Sequence, residues 1–115
     1  MKQTSHQGAS GASVTLALIN SKWKLLILRC LHTRPRRFNE LQKELPGISQ
    51  KMLTDSLHAL QEDGLILRSV RSDAPLYVEY SLSATGQSLW PVLLEMEQWA
   101  LHYVRARERG GERTG

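Results

Sequence analysis

Ser49, Gln50, Lys51, Thr54, Asp55 and His58 are six of the seven polar residues crowded into residues 49–58. At about 100° per residue the five from Gln50 onward share one arc of a helix, opposite Met52, Leu53, Leu57 and Leu60. Short polar side chains near the start of such a helix suit the edges of bases in a major groove. Gln50 can pair with adenine, Lys51 with guanine or a phosphate, and Thr54 with a thymine methyl or a phosphate. Asp55 can accept from cytosine N4, or it can orient Lys51; His58 is within reach of a backbone phosphate. Ser49 and Gln50 stand where a helix N-terminus points its free amides, a favourable place for a phosphate oxygen, although capping alone would explain Ser49. The competing explanation for the whole arc is an ordinary amphipathic helix with a solvated face.

Residues 38–45 form a short helix, with Phe38, Leu41 and Leu45 on one side, and Pro46-Gly47-Ile48 ends it. Ser49 then opens the polar-faced helix, which Asp63-Gly64 closes with a left-handed cap. The two helices and their turn make a helix-turn-helix. Arg34, Arg36 and Arg37 lie in the loop leading into it, where they are expected to hold the phosphate backbone without reading bases, Arg36 and Arg37 foremost; a plain solvated loop is the competing explanation. The β-prone runs 65–72 and 77–82, joined by Asp73-Ala74-Pro75-Leu76, read as a hairpin, a wing with Arg68 and Arg71 set toward the adjacent minor groove or its phosphates.

Ahead of this unit, Val14, Leu16, Leu18 and Ile19 suit a first helix. A second, over residues 22–31, turns Trp23, Ile27, Cys30 and Leu31 inward. Behind it, Ser83 caps a final helix reaching about Arg107, roughly 37 Å long at 1.5 Å per residue. The apolar stripe of that helix, including Leu89, Trp90, Leu93, Met96, Trp99 and Tyr103, is wider than so small a domain can cover. Together with Val14 and Leu18 it is expected to form a dimer seam. The fold class is thus α+β: a winged helix-turn-helix with a two-stranded β-wing and a long C-terminal dimerisation helix. Residues 1–12 are expected as a flexible arm, 13–107 as the folded domain, and 108–115 as a flexible tail.

Charge follows this layout. The 115-residue chain has a net charge of +4, yet residues 20–72 alone hold ten Lys or Arg against five Asp or Glu, so the positive field is concentrated on the helix-turn-helix. One cysteine, Cys30, excludes an internal disulfide or a CxxC pair, suits a reducing cytoplasm, and reads as a small buried hydrophobe. The four histidines are too scattered for a metal site, and no apolar run is long enough for a membrane span. No nucleophile-and-base set, paired-carboxylate cleft or Gly-rich phosphate loop is present, which argues against an enzyme and against a cofactor.

The strings Lys22-Trp23-Lys24-Leu25-Leu26-Ile27-Leu28, Arg37-Phe38-Asn39-Glu40-Leu41, Leu45-Pro46-Gly47-Ile48-Ser49-Gln50-Lys51, Leu53-Thr54 and Val78-Glu79-Tyr80-Ser81-Leu82, in this order and spacing, closely resemble the HxlR family of bacterial winged-helix regulators. The resemblance covers about residues 14–104. It implies a MarR-like homodimer that binds palindromic operator DNA and represses or activates a nearby gene, with the recognition role on Ser49, Gln50, Lys51 and Thr54. Many members carry a redox- or electrophile-responsive cysteine just ahead of the first helix. The corresponding stretch here, Ser10-Gly11-Ala12-Ser13, has none.

The expected function is sequence-specific binding of double-stranded DNA by a homodimer on a pseudo-palindromic operator, in the cytoplasm. An unidentified small-molecule effector entering between the last helix and the DNA-binding part would make it a switch. The alternative is a winged-helix protein-interaction module that uses the Trp90 and Trp99 stripe or the basic face and does not bind DNA.

Overall fold

The computed structural model describes residues 10–72 and 75–114, and the side chains of all of these except 111–114. Most of the expected N-terminal arm and two residues of the wing tip, Asp73 and Ala74, lie outside the described residues. Within them the chain runs α1 (Gly11–Leu18), α2 (Lys22–Thr33), α3 (Phe38–Glu44), α4 (Gln50–Glu62), β1 (Ile66–Arg71), β2 (Tyr77–Leu82) and α5 (Ala84–Thr114).

Serines start the helices. Ser10, Ser21 and Ser49 each accept a hydrogen bond from the backbone N–H three residues on, at 3.0–3.1 Å, and so satisfy amides that have no helical partner. The Ser10 cap starts α1 at Gly11, two residues ahead of the expected onset at Ser13. At its other end α4 closes in a Schellman turn: Gly64 N–H donates to the Gln61 carbonyl and Leu65 N–H to the Leu60 carbonyl, both at 3.0 Å. Gly64 takes a φ of 76°, where a side chain would be strained, and Leu60 and Leu65 are both buried beside the turn.

The core gathers Ile27, Leu28 and Leu31 of α2, Leu41 of α3, Leu53, Leu57 and Leu60 of α4, Leu65, Ile66, and Leu93 of α5. The inward stripe of α2 is rotated from the expected one: Leu28 is fully buried, while Trp23 and Cys30 are half-buried at its edge. Met52, expected on the buried arc of α4, is exposed. Strands β1 and β2 pair antiparallel with Ile66 opposite Leu82 and Arg71 opposite Tyr77. A third segment joins them at one point, where Arg36 and Tyr80 exchange both backbone hydrogen bonds, at 2.9 and 2.7 Å.

Ser83 seats α5 against the end of α4. Its N–H donates to the Leu65 carbonyl at 3.1 Å, its hydroxyl donates to the Gly64 carbonyl at 2.6 Å, and its Oγ accepts from Gly86 N–H. Gly86 lies so close to the Leu65 carbonyl oxygen that a Cβ there would collide with it. From this seat α5 extends 31 residues, about 46 Å. It outruns the expected end at Arg107, continuing through Gly110 and Gly111 to Thr114. The radius of gyration, 17.2 Å, exceeds the ~13 Å of a compact chain this long because α5 projects from the body.

Candidate nucleic-acid interface

Packing of Leu53, Leu57 and Leu60 fixes the rotation of α4, and with that rotation Ser49, Gln50, Lys51, Thr54, Asp55 and His58 are all exposed. One ion pair lies within the arc: Lys51 Nζ stands 2.7 Å from Asp55 Oδ2, one helical turn away. Asp55 holds the Lys51 ammonium above its ordinary pKa by hydrogen bond and charge, so the lysine stays cationic. Of the two roles open to Asp55, orienting Lys51 is the one this structure displays.

The arginines divide. Arg36 is only 8% exposed. Its Nε donates to both Glu44 oxygens at 2.9–3.0 Å, and its Nη1 donates to the Cys30 and Arg34 carbonyls and to Thr33 Oγ1 at 2.7–3.2 Å. The expected phosphate contact by Arg36 is therefore withdrawn: its guanidinium ties the end of α2 to α3, while its backbone ties both to the wing. Glu44 responds by holding its proton less tightly than an ordinary carboxylate, chiefly through the Arg36 hydrogen bond. Arg34, half-exposed, leans toward Glu40 and Glu44 at 3.7–3.8 Å.

Arg37 is exposed and stacks its guanidinium on the Tyr77 ring, 4.4 Å from the centroid. Arg68 is exposed opposite Tyr80 on the wing, and Arg71 stands 3.7 Å from Glu79. Between α4 and the wing runs a groove of about 400 Å³ that brings Thr54, His58 and Gln61 together with Arg68, Phe38 and Tyr80. Sequence reading missed Gln61, Tyr77 and Tyr80 here. The β2 register could have pointed to both tyrosines, since they face Arg71 and Arg68.

The expected seam on α5 splits at Leu93. Leu93 is 6% exposed within its own domain, and Leu89 and Trp90 pack on the same core, Trp90 with its ring 4.1 Å from that of His32. Leu93 is therefore withdrawn from the expected seam, because the seat at Gly86 lays this half of α5 on the body, while Leu89 and Trp90 lean on the core and stay half-buried. Every residue over 94–109 is exposed, including Met96, Trp99, Leu101, Tyr103 and Val104. Trp99 is 66% exposed and stacks on Tyr103 at 5.1 Å. On α1, Val14 and Leu18 are half-buried and Leu16 is exposed.

An apolar cleft of about 200 Å³ opens between α2 and α5, lined by Leu25, Leu26, Trp90, Leu93 and Met96, with Arg29 and Glu97 paired at 3.2 Å on its rim. Cys30 faces another shallow groove beside Glu44, half-buried rather than fully buried as expected. Burial and then the Glu44 charge push its thiol pKa up, opposite to what a reactive thiolate needs. Among the described residues no cluster of His, Cys, Asp or Glu could hold a metal ion, and no helix is long and apolar enough to cross a membrane.

An exposed polar helix, a preceding short helix and a flanking two-stranded wing define a winged helix-turn-helix of the kind that regulates transcription. The chain belongs to the HxlR-like helix-turn-helix family, whose model matches residues 18–108. It is 40% identical over 102 residues to YkvN, an uncharacterized HTH-type transcriptional regulator of Bacillus subtilis (strain 168), covering 89% of this chain and 86% of YkvN. Among solved structures it is similar to the redox regulator HypR in its reduced form, with a TM-score of 0.79 and 36% identity over 87% of this chain and 99% of HypR. A MarR-family transcriptional regulator from Enterococcus faecalis V583 superposes with a TM-score of 0.78 and 34% identity, covering 95% of this chain and 94% of that one. The protein is a DNA-binding transcriptional regulator of helix-turn-helix type and not an enzyme.

Proposed function

We propose that two copies of this chain join along α5 and read a pseudo-palindromic operator, their α4 helices entering successive major grooves about 34 Å apart. The observation that carries the reading is the outward polar arc of α4, with the wing groove beside it and the apolar half of α5 left uncovered by its own domain. Gln50, Lys51, Thr54 and Asp55 face the base edges. Ser49 and His58 meet the phosphates flanking them, and Arg37, Arg68 and Arg71 hold the backbone on either side. Met96, Trp99 and Tyr103 form the centre of the seam, with Val14 and Leu18 at its margin. The protein works in the cytoplasm, where the operator is.

The apolar cleft between α2 and α5 supports an effector reading as well: a small apolar or aromatic molecule seated against Trp90 would push on both helices at once. Quenching of tryptophan fluorescence by such compounds tests it.

Selection of bound duplexes from a random pool, together with sedimentation of the free protein, tests the main reading. The expected result is a dimer that enriches a two-fold symmetric sequence with half-sites about 10 base pairs apart. A dimer with no salt-sensitive affinity for any duplex would favour the protein-interaction module instead.

A further inference from the structure

We propose that Asp55 determines specificity: with Lys51 it forms a charge-neutral unit that reads one G·C pair in each half-site and suppresses binding to unrelated duplex. This rests on the reading of α4 as the groove helix.

The pair has little structural reason to exist. Its side chains are 84% and 62% exposed, and solvated pairs spaced four residues apart add little to a helix. On a surface that meets phosphates, a carboxylate repels the ligand and cancels the one cation of the α4 arc. Arg37 and Arg68 stand outside that arc and keep their charge for the backbone. Attraction to DNA is thereby separated from reading it.

The chemistry of the pair matches one base pair better than the other. Lys51 offers donors that Asp55 does not use, and Lys51 Nζ is the one partner of Asp55 among the described residues, engaging a single carboxylate oxygen at 2.7 Å. Across the major groove G·C presents two acceptors, N7 and O6 of guanine, followed by a donor, N4 of cytosine. A cation next to an anion satisfies that order, Lys51 on the guanine and Asp55 on the cytosine. A·T presents acceptor, donor, acceptor, then a methyl group; its N7 beside N6 also suits the pair, but it gives Lys51 one acceptor where guanine gives two adjacent ones, so the lysine loses a base contact on A·T. A lysine held by a carboxylate is also less free to settle on whichever phosphate is nearest.

The test compares wild type with Asp55→Asn, a change at an exposed position, whose fold is checked by circular dichroism. Operators are selected from a random pool with each protein. Affinity is then measured across a salt series for the wild-type operator, for the same operator altered at each position in turn, and for an unrelated duplex. In Asp55→Asn, discrimination at one G·C position per half-site is expected to fall about tenfold while other positions hold. Affinity for unrelated duplex rises several-fold, and its salt slope steepens by about 0.9 per protomer as the released Lys51 takes a phosphate. If wild type selects a symmetric operator but Asp55→Asn discriminates identically at every position, Asp55 has no reading role and the proposal is overturned while DNA binding stands. If wild type selects no duplex, both readings fall together.

Discussion

Helices α4 and α5 are both amphipathic, and the domain treats their apolar sides in opposite ways. In α4 the leucines are buried within the chain and the polar side is left for a partner. In the outer half of α5 the apolar side itself is left over. Burial of a complete leucine side is self-sufficient and fixes orientation, so the polar arc it leaves outward is a surface of set shape. An uncovered stripe with Trp99 and Tyr103 stacked on it is apolar surface that its own domain leaves open, the side the proposed dimer would cover.

The sharpest way to break this contrast is Trp99→Glu. Placing a charge at the centre of the stripe should weaken dimer association by about 100-fold or more, roughly 3 kcal/mol, as read by sedimentation equilibrium. The fold should survive, because Trp99 touches little of its own domain. An unchanged association constant would show that the seam lies elsewhere.

Next in size is Arg36→Met, expected to cost about 2–3 kcal/mol in urea unfolding; this is below the loss from a fully buried pair because Glu44 is partly solvated. The same pair sets a pH dependence. Arg36 lowers the pKa of Glu44 in the folded state, so its contribution is complete above the unfolded carboxylate pKa and is lost as pH falls through the lower folded value. Wild type should therefore lose part of its advantage over Arg36→Met as pH falls below about 4. A constant difference between pH 7 and pH 3 would contradict the assignment.

On α4 the expected effects are smaller and confined to DNA. Lys51→Ala and Thr54→Ala should each weaken operator binding by about 5- to 50-fold in gel-shift titrations, leaving unfolding curves unchanged. Smallest is Arg37→Ala, which should weaken all duplexes alike and reduce the salt slope by about 0.9 for each phosphate left without its cation. Selective weakening on one sequence would instead make Arg37 a base reader.

The contrast between Arg36 and Arg37 also marks where the sequence stops being readable. Helix α4 was legible because a serine, a run of leucines at helical spacing and a glycine state its start, rotation and end locally. The two neighbouring arginines look alike in a loop. What separates them is nonlocal: a backbone exchange with Tyr80 draws Arg36 inward onto Glu44, whereas Arg37 meets Tyr77 at the surface. The α5 stripe was legible as apolar, but the point at which its own domain stops covering it depends on the seat at Gly86. No spacing along the helix marks Leu93 as the boundary.

That seat has a mechanical consequence. The turn that ends α4 and the start of α5 share Gly64, Leu65, Ser83 and Gly86 as a single clamp, Ser83 standing immediately ahead of the helix. The long helix is thus a lever whose fulcrum sits on the reading head. Tilting its far end would load the end of α4 directly, and in the proposed dimer such a tilt would change the spacing between the two α4 helices like a pair of calipers.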